Sequence, residues 1–399
     1  MRILVLDEEF PWPLNTGKRM RSFNLLSRIA AKHELYYLAY GETDSESSNA
    51  LMKNRMNPIA VARKIPAKSG PMFYLRLLAN LTSPWPYIVS SHYSRLYDKT
   101  VKEVIKEKRP DMIICEWTPY AVFVRDIDKI KKVIVAHNVE TLIWKRYYEN
   151  EKNPAKRWYI GIQRDKLERF ENEAFGTVDG ITAVSEIDAG SIREIKDRTP
   201  VNVVENGVDL DYFKSENNDT EPDSMVFVGT MDWRPNQDAV SYFAQEVFPL
   251  IRKNRPDAKV IFVGRKPPQE IKALNDIPGV TVTGSVDDVR PYMQKGAVYV
   301  VPLRIGGGTR LKILDAMAMK KAIVSTSVGA EGLEVSEDEN ILLADTAERF
   351  AEQIERLMDD AELRHRMGED GRQLVEERYG WDRLAERLDA FLIELAGDK

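Results

Sequence analysis

The sequence predicts an α/β protein built from two doubly wound domains, each a largely parallel sheet with helices on both faces. Three observations carry this. Short apolar runs alternate with helical patterns, starting at residues 1–6 (MRILVL) and restarting at residues 225–228 (MVFV). The chain has 399 residues, more than one compact core accommodates. Between the two series, residues 215–223 are polar and contain a proline, which is linker composition. The expected division is therefore residues 1–205, a linker at 206–223, residues 224–378, and a terminal helix at 379–399.

In the first half, residues 1–6 read as a buried strand and residues 20–31 as a helix, joined by a loop containing Gly17. Strand, loop with glycine, helix is how a doubly wound half opens. Either an ordinary βα turn or a phosphate contact explains Gly17. Residues 35–40 read as a second strand and residues 44–56 as a polar surface helix. Residues 111–115 (DMIIC) and 133–136 (VIVA) are short and apolar, as central parallel strands are. His137 follows the second directly, where side chains at strand carboxyl ends face the ligand crevice. Residues 160–175 read as an amphipathic helix, with strands at 180–184 and 201–204.

Residues 60–110 stand apart, with ten Lys/Arg against three Asp/Glu, a local balance of +7. They also hold Tyr74, Trp85 and Tyr87. Two readings stand. One is contact with an anionic membrane interface. The other is a core-packed helical hairpin with solvated lysines.

The second half carries the strongest local pattern. Strands are expected at 225–228, 258–263, 280–283, 297–301 and 322–326, with helices at 238–248, 287–294, 310–319, 347–358, 363–379 and 381–395. After the 297–301 strand come Gly306, Gly307 and Gly308, with Thr309 placed as a helix cap before Arg310. Glycines let backbone approach a ligand closely, and a helix start attracts anions. Arg310 and Lys312 add positive charge, and Asp315 offers a carboxylate to sugar hydroxyls. The set suits a nucleoside diphosphate; a glycine turn with a solvated cationic helix face explains the spacing equally.

Composition narrows the function. A net charge of −5 argues against bulk nucleic-acid binding. Cys115 is the sole cysteine, so neither a disulfide framework nor a thiolate metal cluster is expected, and a reducing cytosol suits the chain. The N-terminal residues lack a signal-peptide core, and no apolar run reaches the roughly 18 residues of a membrane span. Asp209 and Asp211 form an Asp-x-Asp beside the linker, a spacing common by chance, and no metal is expected there. Asp7-Glu8-Glu9 reads either as a carboxylate pair or as a solvated strand end.

The segment GGGTRLKILDAMAM…AIVSTSVGAEGL resembles the donor-site motif of the GT-B glycosyltransferases, in particular the retaining family four. Members typically show a glutamate, seven residues, then a second glutamate followed by Ala-Met-Ala. Asp315-Ala316-Met317-Ala318 stands at the second part; the first glutamate falls on Gly307. The resemblance implies two Rossmann-like domains facing across a cleft, with the C-terminal helix crossing back to the N-domain. It implies hexose transfer from a nucleotide-diphosphate sugar to a saccharide or lipid-linked acceptor, with retention, without metal or cofactor. The expected setting is cytoplasmic, peripheral at the inner membrane face if residues 60–110 dock there. The segments HNVE at His137, AVSE at Ser185 and NGVD at Asn206 are similar to the family's N-domain.

The resemblance makes His137 and Asp315 the expected catalytic positions. The implied donor-binding set is Gly17, Gly229, Thr230, Arg234, Arg265, Ser285, Val286, Gly306, Gly307, Gly308, Thr309, Arg310, Leu311, Lys312 and Asp315. Loop amides after Ile305 would replace the missing glutamate. Thr230 stands where the family often has arginine, and Arg234 is the nearest substitute. Ser285 and Val286 follow the strand whose relatives meet the nucleobase. Two alternatives remain: an isomerase or hydrolase of the nucleotide sugar, and a non-catalytic binding protein.

Overall fold

A computed structural model describes residues 1–63, 69–196, 198–215, 220–305 and 311–397. The chain forms two compact units, Met1–Glu205 with Leu384–Lys399, and Asn206–Arg383.

The first unit is built on β1 (Arg2–Leu6), β2 (Glu34–Tyr40), β3 (Met56–Val61), β4 (Met112–Cys115), β5 (Lys131–Ala136), β6 (Gly180–Ala183) and β7 (Val201–Val203). They form one parallel sheet in the order β3-β2-β1-β4-β5-β6-β7. Ile3 pairs with Leu35 on one side and Met112 on the other, and the inner residues of β1 and β4 are buried. Helices cover both faces, which is why these strands are continuously apolar rather than alternating. The strand order reverses between β1 and β4, so a crevice opens at their carboxyl ends.

The second unit repeats the scheme with β8 (Glu221–Val228), β9 (Lys259–Val263), β10 (Val280–Gly284), β11 (Gly296–Val301), β12 (Ile323–Ser325) and β13 (Leu342–Leu343). The order is β10-β9-β8-β11-β12-β13, all parallel, and the reversal lies between β8 and β11.

Several elements differ from the sequence reading. The expected 44–56 helix is only Glu46–Lys53, and β3 follows it. Pro58 disguised that strand; an edge position paired with β2 alone tolerates proline. The aromatic, basic stretch after His137 is a helix, Glu140–Asn150, joined to a longer one at Pro154–Gly176. The expected 238–248 helix runs from Arg234–Tyr242 through a π-turn, Phe243–Val247, into Phe248–Asn254. Pro249, at the start of the last piece, cannot donate to the helical ladder, which accounts for the local widening. Within the expected linker, the Val208 amide donates to the Tyr379 carbonyl and Arg372 to the carbonyls of Leu210 and Phe213. Those residues pack into the second unit, and β8 already begins at Glu221.

The terminal helix, Trp381–Gly397, returns to the first unit from Leu384 onward. Leu384, Leu388, Phe391, Leu392 and Leu395 recur at helical spacing and are buried. Gly180, which starts β6, lies under this face: a Cβ there would come within 2.5 Å of Leu395 Cδ1. Asp389 fixes the helix by accepting from Lys32 Nζ at 2.9 Å and pairing with His33 Nε2 at 2.6 Å.

Leu392 is fully buried whereas neighbouring Ile393 is 52% exposed. Leu392→Ala is expected to cost about 2–5 kcal/mol. Ile393→Ala should change stability by no more than about 0.5 kcal/mol. Urea unfolding of both variants checks this, and equal losses would mean the helix docks on another face.

Candidate functional site

In the second unit, the loops after β8, β9 and β11 lie around the switch point. Gly229 follows β8, and its amide donates to the Val263 carbonyl at 2.9 Å. Gly264 is required by close approach to backbone, and Gly229 lies against two side-chain ends. A Cβ on Gly264 would meet the Gly229 carbonyl oxygen at 1.9 Å, and one on Gly229 would meet Asn236 Nδ2 at 2.8 Å and Lys312 Nζ at 2.9 Å. Lys312 is thus aimed at the β8 loop from the Leu311–Ala318 helix. Its Nζ donates to Asn236 Oδ1 at 2.7 Å and lies 4.2 Å from the centre of the Phe227 ring. Asn236 in turn donates to the Thr230 carbonyl at 2.8 Å. Thr230 donates to Asp232 and accepts from Arg265 Nε at 3.3 Å.

Asp315 lies one turn beyond Lys312. Its side chain keeps a partial opening to solvent, yet burial pushes its carboxyl up to about 8, with Lys312 opposing the rise. Arg234 is exposed at the start of its helix, and Ser285 is exposed directly after β10. Val286 and Leu311 pack against the apolar core of this unit, so their side chains support the loops. Gly306, Gly307, Gly308, Thr309 and Arg310 lie outside the described residues. The structure therefore brings Gly229, Thr230, Arg265, Lys312 and Asp315 to one end of the sheet, with Asn236 as a joining residue the sequence reading missed. Its signal was its place in the first turn of the helix after the β8 loop.

In the first unit, the crevice between β1 and β4 holds a dense polar cluster. His137 follows β5, and its Nε2 donates to the Glu116 carbonyl at 2.9 Å, with Glu116 Oε1 at 3.4 Å. Burial lowers the affinity of His137 for a second proton, Glu116 opposes this, and Arg21 and Lys18 reinforce it. The ring is thus neutral with the proton on Nε2, leaving Nδ1 as an acceptor. Burial alone would push Glu116 up; His137, Ser22 and Arg21 outweigh it and hold its carboxylate below the usual range.

Asp7 is buried at the end of β1, which corrects the reading of Asp7-Glu8-Glu9 as a solvated strand end. It accepts from Lys18 Nζ and from the Tyr37 hydroxyl, both at 2.6 Å. Burial pushes Asp7 up to about 7 despite Lys18. Lys18 also reaches Glu8 at 3.0 Å, and Glu8 faces His92 Nε2 at 3.3 Å. Gly17 opens the helix that carries Lys18 and is exposed.

The His137 loop is held from behind. Glu171, on the Pro154–Gly176 helix, accepts the amides of Glu140 and Thr141 at 2.9 Å each. Glu140 accepts from Trp117 Nε1 at 2.8 Å, and Trp117 adjoins Glu116. Nothing local in the sequence signals Glu171, because its partners lie about 30 residues away.

Asp209 Oδ1 accepts from the amides of Asp211 and Tyr212, capping a turn. Among the described residues no group of three His, Cys, Asp or Glu side chains is placed to hold a metal ion.

Comparison with known proteins agrees with the fold. The family described as glycosyl transferases group 1 matches residues 222–360, and glycosyltransferase family 4 matches residues 23–212. An uncharacterized 44.6 kDa protein in the cps region of Klebsiella pneumoniae is 23% identical over 369 residues, covering 88% of this chain and 90% of that one. Sucrose-phosphate synthase from Thermosynechococcus elongatus superposes with a TM-score of 0.71 at 16% identity, over all of both chains. Anabaena HepE, solved with UDP and glucose, gives a TM-score of 0.67 at 14% identity, over 98% of this chain and 99% of that one.

A carboxyl whose folded value lies above its unfolded one loses stability as pH rises between the two. For Asp315 that window runs from the ordinary 3.8 to about 8. Asp315→Asn removes this loss. The variant's melting temperature relative to wild type is expected to rise from about pH 5 to about pH 8.5, by the equivalent of about 1–3 kcal/mol. Thermal scans across this range check it; a constant difference would show that Asp315 is not held protonated.

Proposed function

This chain belongs to the GT-B glycosyltransferases, and from that premise we propose that it moves a hexose from a nucleotide-diphosphate sugar to an acceptor hydroxyl with retention of anomeric configuration. The observation that carries the reading is Lys312, held by Asn236 and directed at the Gly229 loop beside the switch point of a parallel sheet. A fixed cation there suits a diphosphate, since negative charge grows on the leaving group as the glycosidic bond breaks. Arg310 and the glycine loop before it add to this through the sequence pattern alone. Asp315 would bind the ribose hydroxyls, and Ser285 and Val286 would flank the base.

In the reaction, the bond from the anomeric carbon to the phosphate oxygen breaks and a bond to the acceptor oxygen forms on the same face of the sugar. The acceptor's proton leaves with the nucleoside diphosphate. His137 would accept a hydrogen bond from a sugar hydroxyl at Nδ1. Fixed protein cations, rather than a metal ion, would carry the charge. The acceptor is a saccharide or lipid-linked saccharide, which places the enzyme in polysaccharide or glycolipid synthesis, on the cytoplasmic side.

Nucleotide release from a panel of nucleotide sugars, with and without acceptor, tests the reading. Acceptor-dependent release supports transfer. Acceptor-independent turnover would make the protein a hydrolase or isomerase, and binding without turnover a nucleotide-sugar-binding protein.

Lys312→Ala is expected to weaken nucleoside diphosphate binding by about 1.5–3 kcal/mol and to leave nucleoside binding nearly unchanged. Calorimetric titration checks this, and equal affinities for the diphosphate would remove Lys312 from the site. Activity is expected to survive EDTA; loss restored by added manganese or magnesium would establish a metal requirement.

A further inference from the structure

Asn236 is 2% exposed, and both ends of its side-chain amide are engaged. Its oxygen accepts from Lys312 Nζ at 2.7 Å, and its nitrogen donates to the Thr230 carbonyl at 2.8 Å. A lysine needs an acceptor and a carbonyl needs a donor, so the two partners fix which way the amide faces. These partners come from different parts of the second unit. Thr230 lies in the loop after β8, and Lys312 lies on the Leu311–Ala318 helix, which follows β11.

The loop after β8 is itself fastened. The backbone amides of Asn236 and Gln237 donate to the Trp233 carbonyl at 3.0 and 3.2 Å, and Gln237 Nε2 donates to the Met231 carbonyl at 2.8 Å. The first turn of the Arg234–Tyr242 helix thus ties the loop back onto itself. Thr230 Oγ1 also accepts from Arg265 Nε at 3.3 Å. Polar contacts therefore run from Lys312 through Asn236 and Thr230 to Arg265. They join a cation from the helix after β11 to a cation from the loop after β9. Two cations placed about one loop suit a ligand with two phosphates.

The residue type at 236 matters as much as its place. Aspartate has nearly the same shape and could accept from Lys312 in an ion pair. Its second oxygen would then face the Thr230 carbonyl with no proton between them, and its charge would oppose a phosphate. Leucine, of similar size, would leave both partners without the bonds they make here. The first unit shows the contrasting arrangement: Lys18 is matched by two carboxylates, Asp7 at 2.6 Å and Glu8 at 3.0 Å. Carboxylates hold a lysine in place equally well, so an amide at 236 calls for a reason other than holding.

We propose that Asn236 is a positioning residue for the diphosphate of the donor. Acting through Lys312, it sets the ammonium group against the loop after β8 before the ligand arrives. It does so without adding negative charge beside the phosphates. A long side chain ordered in advance does not have to be ordered by the ligand, which favours binding. The proposal rests on the reading of Lys312 as a diphosphate contact and adds that this contact depends on Asn236.

Calorimetric titration of the full chain with the diphosphates of uridine, guanosine, adenosine and thymidine, and with the matching nucleosides, tests it. For the diphosphate that wild type binds most tightly, Asn236→Ala is expected to weaken binding about fivefold and Asn236→Asp at least about tenfold. Nucleoside binding should change by less than about twofold in both. In a Lys312→Ala background, Asn236→Ala should change diphosphate binding by less than about twofold, because a residue that acts through Lys312 has nothing left to position. Equal effects of Asn236→Ala with and without Lys312 overturn the proposal. So does a parallel loss of nucleoside binding, which would make Asn236 a general support of the unit. If Lys312→Ala weakens diphosphate binding while both Asn236 variants bind like wild type, only the positioning role fails. If Lys312→Ala binds like wild type, or wild type binds none of the four, the reading of Lys312 fails with it. Asn236→Ser, which keeps a shorter donor and acceptor, replaces any variant whose melting curve shows it unfolded.

Discussion

Every strand of both sheets runs parallel to its neighbours, and that single constraint sets where chemistry sits in each unit. Parallel pairing puts all strand carboxyl ends on one side. The order must then reverse somewhere if helices are to cover both faces, and adjacent loops part at the reversal. In the first unit this happens between β1 and β4, where Asp7, Glu8, Glu116 and Trp117 emerge. In the second it happens between β8 and β11, where Gly229 and Thr230 lie beside the helix that carries Lys312 and Asp315. The cost of such a sheet is that its strands are sealed on both faces, so polar residues collect where strands end.

This explains how far the sequence could be read. Buried parallel strands announce themselves as apolar runs, and β1, β4, β9 and β11 were legible almost to the residue. Two of the four edge strands were not: β3 contains Pro58, and β13 has two residues. The Leu311–Ala318 helix was legible because its apolar residues recur at helical spacing. Partners across the fold were not. Asn236 meets Lys312 from 76 positions away and Lys166 reaches Asn80 from 86. Pairing was not legible either: Lys99, Lys102 and Lys108 each meet a carboxylate of their own helix, which the sum of charges over residues 60–110 does not reveal.

The two crevices differ in electrostatic character. In the second unit Lys312 is held by an amide oxygen and an aromatic face. Both of these contacts are with uncharged groups. In the first unit the opposite holds. Lys18 is matched by Asp7 and Glu8, and the imidazole of His137 is turned to Glu116. Anionic groups outnumber cations around that crevice, which favours hydroxyl-rich ligands over phosphates.

Stability alone does not account for the acids in these places. Burial pushes Asp7 and Glu171 up to about 7 and Asp315 up to about 8, so each opposes folding as pH rises toward those values. An apolar side chain of similar size at a buried charged position is often neutral or stabilising. A fold selected only for stability has little reason to keep three such groups. All three lie at, or directly behind, the loops that leave the strand carboxyl ends: Asp7 at β1, Glu171 behind the loop after β5, and Asp315 on the helix after β11. Lys321, which burial pushes down to about 8, sits before β12 at the opposite edge. Cost of this kind is therefore not confined to the loop edge, and what distinguishes the three acids is their place beside the loops.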